Sequence, residues 1–325
     1  MPWSSSSWPS RRSDVIRPPR SGLTSSAHRL LVILTGLMLA AACGSTGHLA
    51  ERAAPSPASS PQAEPSDEPS PITANPSDHV FVIVMENRSY DQAMGGGYTA
   101  ELARHYGVAT NYHGVSHPSL PNYLAMTSGS TWGIADDGYH RLPLTGLGEQ
   151  LTQAGIPWHA YMEGMTSSCL DSSYPYALKH NPFPYYGSSC PSQVVPFSHF
   201  SGDMKSGDVP RFVWITPGLC NDGHDCSTSV ADAWLSTVVP EIQATSAWKQ
   251  NGTLIITWDE GEDQANHVLT LVIRPGMQPL SSSRYYNHYS LLATLEDLLG
   301  LPRLGAATGA TPMRDLLVSG SASTP

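Results

Sequence analysis

Short runs of consecutive apolar residues recur between residues 79 and 273, and several are rich in β-branched or aromatic side chains. A run of this kind, bounded by polar or turn-forming residues, is typical of a buried strand. Five runs predict strands: His79 to Met85, Pro157 to Met162, Arg211 to Thr216, Thr253 to Trp258 and Val268 to Ile273.

Between these runs, apolar residues recur at spacings of three and four, which predicts helices. The predicted helices are Ser119 to Thr127, Leu144 to Ala154, Val230 to Trp248 and Tyr289 to Leu299. Alternating strands and helices indicate an α/β domain with a mostly parallel central sheet flanked by helices. We expect Cys169 to Phe200, which is rich in Pro, Tyr, Ser and Gly, to be a long insertion built of loops.

The first 42 residues have the layout of a signal peptide. Five arginines and a single acidic residue, Asp14, precede the apolar run Leu30 to Ala42. At about 13 residues, the run is shorter than the roughly 20 that a membrane-spanning helix needs. The sequence therefore predicts export from the cytoplasm.

Small residues directly before Cys43 resemble a bacterial lipoprotein cleavage site, which would make Cys43 a lipidated N-terminus; ordinary cleavage nearby is the alternative. Residues 43–77, rich in Pro and Ser, predict a disordered tether. Residues 78–318 form the predicted catalytic domain, and residues 319–325 a disordered tail. We expect an extracytoplasmic protein, lipid-anchored at the cell membrane or secreted, that touches the membrane only through its anchor.

Four further cysteines form an even set in an exported domain, which predicts two disulfides. Of the three possible pairings, the local ones, Cys169–Cys190 and Cys220–Cys226, are favoured because each closes a loop-like stretch. A zinc–thiolate site is the alternative, although neither pair has the two-residue spacing of a zinc knuckle.

The chain has 17 basic and 27 acidic residues, and five of the basic ones lie in the predicted signal peptide. Nucleic-acid binding depends on a cationic surface, and no basic stretch interleaved with aromatic residues is present in the domain. Nucleic acid is therefore excluded as a partner, and we expect a monomer.

Acidic pairs follow two of the predicted strands: Glu86 and Asn87 after the first, and Asp259 and Glu260 after the fourth. In an open α/β sheet the ligand site lies beyond the carboxyl ends of the strands. Oxygen ligands favour a hard divalent cation, Ca²⁺, Mg²⁺ or Mn²⁺, over Zn²⁺. Alternatively, these acids cap helices or face water.

Ser119 stands at the start of a predicted helix, with Pro121 in the first turn. There the helix dipole, free backbone N–H groups and a metal could activate its hydroxyl as a nucleophile. The alternative is a simple N-cap.

Several histidines accompany these segments. His224 lies between Asp222 and Asp225 in a loop flanked by cysteines, so Asp222 and His224 are candidates for binding metal or phosphate. His117, two residues before Ser119, is a candidate general acid. His267 and His288 flank the last strand and the last helix and are possible additional site residues.

Five segments together resemble the bacterial phosphoesterase family, which contains acid phosphatases and phospholipases C. They are Val82 to Asp91, Ser116 to Gly129, Asn221 to Asp225, Trp258 to Gly261 and His288 to Leu292. The likeness is strongest to short secreted acid phosphatases, including the mycobacterial kind. It implies an alkaline phosphatase-like three-layer sandwich, a metal held by the two acidic pairs, Ser119 as nucleophile and Asn122 beside the phosphate. The Asp and Asp-His ligands of the wider superfamily are missing at these strand ends.

The resulting expectation is an exported, metal-dependent phosphomonoesterase of the acid phosphatase type, working through a phosphoserine intermediate. Its substrate would be a small phosphorylated molecule, with phosphoinositides among the candidates. A phospholipase C-type phosphodiesterase is the first alternative. A non-catalytic ligand-binding lipoprotein is the second.

Overall fold

The computed structural model describes residues 74–75, 78–166 and 168–317. The predicted signal peptide, Cys43, nearly all of the tether and the 319–325 tail lie outside these residues and stay predictions. Within the described residues, no helix is both long enough and apolar enough to span a bilayer.

Nine strands of the described residues form one sheet in the order β4-β3-β5-β1-β6-β7-β2-β8, and β9 also pairs with β2. The strands are β1 Val80–Met85, β2 Gly107–His113, β3 Trp158–Met162, β4 Val194–Pro196, β5 Phe212–Thr216, β6 Thr253–Trp258, β7 His267–Ile273, β8 Leu280–Ser282 and β9 Tyr286–Asn287.

The five predicted strands are β1, β3, β5, β6 and β7, so the apolar runs are confirmed as strands. β4, β3, β5, β1 and β6 pair in parallel, whereas β7 is antiparallel to both β6 and β2. The mostly parallel sheet is therefore confirmed. β2 was not predicted, because its sequence GVATNYH mixes polar and apolar residues. The short strands β4, β8 and β9 were not predicted either.

The part of the chain that the structure describes has eight α-helices: α1 Tyr90–Ala93, α2 Gly97–His105, α3 Ser119–Ser128, α4 Leu147–Gln153, α5 Phe200–Ser206, α6 Thr228–Ala244, α7 Ser246–Lys249 and α8 His288–Leu299. Two groups of helices pack together. In one group, α2, α5 and α7 contact α6; in the other, α4 and α8 contact α3. Both groups pack on a sheet whose central strands are fully buried.

Two predicted helices have different bounds in the structure. α4 begins three residues later than Leu144, because Gly146 has a positive φ of 104° that precedes the helix. The stretch Val230 to Trp248 is divided at Thr245, whose backbone is extended. The Thr245 side chain accepts a hydrogen bond from Trp248 N, so it caps the new helix α7.

Both local disulfides, Cys169–Cys190 and Cys220–Cys226, are present, so the predicted pairing is confirmed and the zinc–thiolate alternative is wrong. The insertion between Cys169 and Phe200 is mainly loop, but it also contributes β4 and a 3₁₀ turn at Leu178–His180. That turn places Lys179 and His180 at the candidate site.

Candidate active site

The central strands bring the acidic pairs together. β5, β1 and β6 are parallel neighbours, so their carboxyl ends lie side by side at one edge of the sheet. Glu86 follows β1 and Asp259 follows β6, and Asp259 N donates to the carbonyl of Met85 at 3.0 Å. Glu86 N donates to the carbonyl of Asp222 at 2.9 Å, which brings the loop after β5 to the same place.

β2 delivers the candidate nucleophile to this edge. Because β7 is antiparallel to both β6 and β2, β2 runs in the same direction as β6 and ends at the same side. Residues 114–118 then connect it to α3, which begins at Ser119. The sheet direction thus places the helix start beside the acidic strand ends.

Asn122 holds this connection in shape. Its Oδ1 accepts from Val115 N and Ser116 N at 2.9 and 3.0 Å, and its Nδ2 donates to the carbonyls of Ser116 and Pro118. All of its hydrogen-bonding capacity is used. Asn122 therefore positions the loop before Ser119, and its predicted role in phosphate binding stays a prediction.

Ser119 is only 1% exposed and lies against two carboxylates. Its Oγ donates to Glu86 Oε2 at 3.1 Å and lies 3.3 Å from Glu260 Oε1. Ser119 is the first residue of α3, where the helix dipole favours negative charge. The hydroxyl is therefore next to proton acceptors and at a position that stabilises an alkoxide or a phosphate.

The carboxylates are buried close to one another. Burial raises the pKa of Glu86 well above its usual value, and the charges of Asp259 and Asp222 raise it further. Burial and then Glu260 raise the pKa of Asp259 to about 8, and burial raises the pKa of Asp222 to about 7. Like charges gathered in a buried site repel unless a cation compensates them.

The sequence analysis missed His180, which lies in the 3₁₀ turn of the insertion. It is 1% exposed, and its ring lies between two acids, with Nε2 3.2 Å from Glu86 Oε2 and Nδ1 3.4 Å from Asp222 Oδ2. Burial lowers the pKa of His180 well below its usual value. No strand end or motif pointed to it, because its position depends on how the insertion folds back on the site.

Four buried polar atoms of this cluster have no hydrogen-bond partner: Asn87 Oδ1, His180 Nε2, Asp222 Oδ2 and Asp259 Oδ2. Unpartnered buried polar atoms are rare, and several in one place are typical of an ion site. Three oxygens and one imidazole fit a divalent cation. No three acidic, His or Cys side chains of the described residues already stand at metal-binding geometry, so closing around an ion would require small side-chain movements.

Two predicted site histidines lie at the rim. His117 pairs through Nδ1 with Glu260 Oε2, while its side chain is 51% exposed. His224 donates its backbone N–H to Asp222 Oδ1 at 2.7 Å, and its ring lies between Asp225 and Lys179. Both histidines are therefore next to the acidic cluster, with access to solvent.

The other two histidines are engaged elsewhere. His288 is buried, with Nε2 2.5 Å from the carbonyl of Asp259 and Nδ1 3.0 Å from the hydroxyl of Tyr112. Both ring nitrogens are occupied, so His288 supports the backbone of Asp259. His267 stacks on Tyr90 and lies 3.1 Å from the carbonyl of Thr110, so it contacts no carboxylate of the cluster.

The sequence matches the model of the Phosphoesterase family over residues 97–302. The chain belongs to this family. The match covers more than half of the chain and includes β2, Ser119 and Asp259.

Curated relatives agree with this assignment. The chain is 31% identical over 251 residues to a phosphatidylinositol-3-phosphatase of Mycobacterium tuberculosis, covering 73% of this chain and 82% of that protein. It is 28% identical over 248 residues to a phosphate-repressible acid phosphatase of Penicillium chrysogenum, covering 70% and 60% of the two chains. The chain thus spans about 60% of the length of that fungal enzyme.

Solved structures show the fold. An alkaline phosphatase superfamily protein of Vibrio parahaemolyticus superimposes with a TM-score of 0.54 at 12% identity, over 73% of this chain and 71% of that one. Murine ectonucleotide pyrophosphatase/phosphodiesterase 5 in complex with AMP gives a TM-score of 0.54 at 11% identity, over 74% and 100%. The alkaline phosphatase-like fold is therefore confirmed.

The family match also confirms the predicted resemblance to phosphoesterases. The protein is a hydrolase that acts on phosphoric ester bonds. This removes the alternative of a non-catalytic ligand-binding lipoprotein.

Proposed function

We propose that this protein is an exported, metal-dependent phosphomonoesterase of the acid phosphatase type, with Ser119 as its nucleophile. The observation that carries the proposal is the buried Ser119 hydroxyl, 3.1 and 3.3 Å from two carboxylates at the start of a helix. The names of the mycobacterial and fungal relatives support a phosphatase.

The chain's own residues supply the first chemical step. Ser119 Oγ bonds to phosphorus while the ester P–O bond breaks, and the serine proton passes to Glu260. His117, paired with Glu260 and open to solvent, protonates the departing alcohol oxygen. The product is phosphoserine and a free alcohol.

The second step reverses the first. Water adds to the phosphorus and passes a proton to His117, which lost one in the first step. The bond from phosphorus to Ser119 Oγ breaks, and inorganic phosphate leaves. The serine oxygen regains a proton from Glu260. The N-terminus of α3 stabilises the charge on the phosphoryl group throughout.

Glu86, Asn87 and Asp259 would hold the divalent cation, with Glu260, Asp222 and His180 beside them. When bound, the ion supplies positive charge that neutralises the phosphoryl oxygens and lowers the pKa of the serine hydroxyl. Ca²⁺, Mg²⁺ or Mn²⁺ suit these mainly oxygen ligands. Asp222, a buried carboxylate, fits a cation better than the phosphate contact predicted for it.

Replacing Ser119 with Ala tests the nucleophile. We expect hydrolysis of p-nitrophenyl phosphate to fall by about 10³-fold or more, as when a covalent nucleophile is removed. Ser116→Ala is the matched control, because this hydroxyl belongs to the same loop but contacts only the carbonyl of His117. Equal turnover of Ser119→Ala and wild type would exclude Ser119 as the nucleophile.

A phospholipase C-type phosphodiesterase is the second candidate function. Phosphoinositides are candidate substrates for either activity, because one relative is a phosphatidylinositol-3-phosphatase. Assays with a phosphoinositide in vesicles separate the two reactions. Release of inorganic phosphate supports the monoesterase, whereas release of diacylglycerol supports the diesterase.

A further inference from the structure

One acidic side chain occupies the anion-binding position next to the nucleophile. Asp137 lies in the loop between α3 and α4, and its Oδ1 accepts from the backbone N–H of Leu120 at 3.1 Å. Leu120 is the second residue of α3, directly after Ser119. The first N–H groups of a helix have no partner within the helix and commonly bind phosphate.

The second oxygen of Asp137 binds a cation of the same site. Its Oδ2 accepts from Lys179 Nζ at 3.0 Å. Lys179 also lies 3.2 Å from His224 Nε2, and it directly precedes the buried His180. Asp137 thus bridges a helix-start N–H group and an ammonium group, two donors that suit the oxygens of a phosphate bonded to Ser119.

The carboxylates of the cluster, Glu86, Asp222 and Glu260, repel a phosphate dianion, so a cation at the start of α3 favours its binding. Lys179 already binds a carboxylate oxygen at this position, because it pairs with Asp137, whose other oxygen accepts from the N–H of Leu120. Lys179 is therefore placed to receive phosphate oxygens.

We propose that Asp137 and Lys179 determine specificity for phosphomonoesters: Asp137 takes the place of a phosphate until a substrate displaces it, and Lys179 then binds that phosphate. This inference rests on the proposed function and refines its substrate class. Asp137 is 30% exposed and Lys179 22% exposed in their side chains, so the pair is accessible from solvent. A phosphomonoester dianion competes with a carboxylate better than a singly charged diester does, because it carries one more negative charge.

Two variants measure this competition with inorganic phosphate as the probe. In Asp137→Asn, the amide cannot match the charge of the carboxylate at Lys179, so phosphate should bind about three- to tenfold more tightly. In Lys179→Met, phosphate should bind about tenfold more weakly or worse, because a charge-assisted hydrogen bond is lost. Binding is measured by calorimetry on the full chain with Mg²⁺, and as competitive inhibition of p-nitrophenyl phosphate hydrolysis.

Two control variants change an aspartate and a lysine that do not contact α3 or the Asp137–Lys179 pair. Asp136→Asn changes the neighbouring aspartate, which contacts His140 and Gly138 N instead of α3. Lys205→Met changes an exposed lysine that lies 3.9 Å from Glu241. Neither should change the phosphate affinity.

Substrate comparison completes the test. For p-nitrophenyl phosphate, KM should fall in Asp137→Asn and rise in Lys179→Met, while kcat changes less. For bis-p-nitrophenyl phosphate, both effects on KM should be smaller. Weaker or unchanged phosphate binding in Asp137→Asn, with an unchanged melting temperature, would overturn the proposal.

The calorimetric measurement is repeated in the Ser119→Ala background, where phosphate binds but no chemistry occurs. If Ser119 is not the nucleophile, the Ser119→Ala protein still turns over substrate. The change in phosphate affinity caused by Asp137→Asn is still measured directly by calorimetry. If turnover is lost but Asp137→Asn does not tighten binding, only the specificity proposal fails.

Discussion

The two sides of the candidate site are built in different ways. On one side, Glu86 and Asp259 follow adjacent parallel strands, and backbone hydrogen bonds of the sheet fix their positions. On the other side, Lys179 and His180 come from a 3₁₀ turn in a long insertion, closed by the Cys169–Cys190 disulfide. The sheet holds charges together that repel, whereas the insertion adds the groups that compensate or orient them.

The comparison shows why stability and function oppose each other at the strand ends. Burial first, and then the charges of neighbouring acids, raise the pKa of Glu86 and of Asp259, so acids gathered at these strand ends are unfavourable without a cation. Strained or destabilised groups of this kind are typical of functional sites. On the insertion side, burial instead lowers the pKa of His180 and so disfavours its charged form.

Asp259→Asn should have the largest effect. We expect turnover of p-nitrophenyl phosphate to fall by about 10³-fold or more, since the proposed metal ligand and its charge are lost together. In the presence of a chelator the same variant should melt higher than wild type, by about 2–4 °C for each kcal/mol of relieved repulsion. Activity assays and thermal melts check both parts, and a lower melting temperature in chelator would contradict the repulsion.

His180→Gln tests the insertion side. Its amide can replace one hydrogen bond but not the imidazole between Glu86 and Asp222. We expect the affinity for the divalent cation to fall by about 10–100-fold, as when a residue that supports a metal ligand is changed. The measurement is cation titration of the chelated protein, followed by intrinsic fluorescence. His199→Gln, a histidine of the same insertion outside the site, is the control.

The disulfides separate stability from activity. Cys169–Cys190 closes a longer loop than Cys220–Cys226, because its partners are 21 positions apart in the sequence rather than 6. Its removal by a double Cys→Ser change should cost more stability, about 3 kcal/mol. Removal of Cys220–Cys226 should cost less stability but lower kcat more, since Asp222 and His224 lie inside its loop. Denaturant unfolding measures the stability loss and steady-state kinetics measures the loss of kcat for each double variant. A larger stability loss without Cys220–Cys226, or a larger kcat loss without Cys169–Cys190, would contradict this prediction.

Glu296 in α8 lies outside the candidate site, and changing it should have the smallest effect of these variants, on the pH dependence of stability alone. It is buried with its Oε1 accepting from Leu304 N, and burial raises its pKa to about 8. The folded protein then holds a proton that the unfolded chain releases near its ordinary value of 4.5. Stability should therefore fall as the pH rises from about 4.5 to about 8.

Glu296→Gln should remove this part of the pH dependence and leave kcat unchanged. Melting temperatures across that pH range provide the measurement. An unchanged slope in Glu296→Gln would show that other groups produce the dependence.

Particular residues show how far sequence reasoning reached. Glu86, Asn87, Asp259 and Glu260 could be selected because strand ends share an edge in a parallel sheet, and Ser119 because a serine began a helix. The local disulfide pairs were also predictable from spacing. By contrast, the pattern did not show that β7 reverses direction, although this reversal is what makes β2 and Ser119 point to the acidic edge.

The sequence by itself determined the strands β1, β3, β5, β6 and β7 and the helices α3, α4, α6 and α8, since apolar runs and helical spacing record which faces are buried. It also determined which residue types are available for phosphoester chemistry. The tertiary structure alone decided that His180 lies between two carboxylates, that Asp137 occupies the start of α3, and that Asn122 and His288 support the site. These contacts join residues far apart in the chain, and their geometry depends on how loops fold over a finished sheet. Local patterns carry no information about such long-range approach.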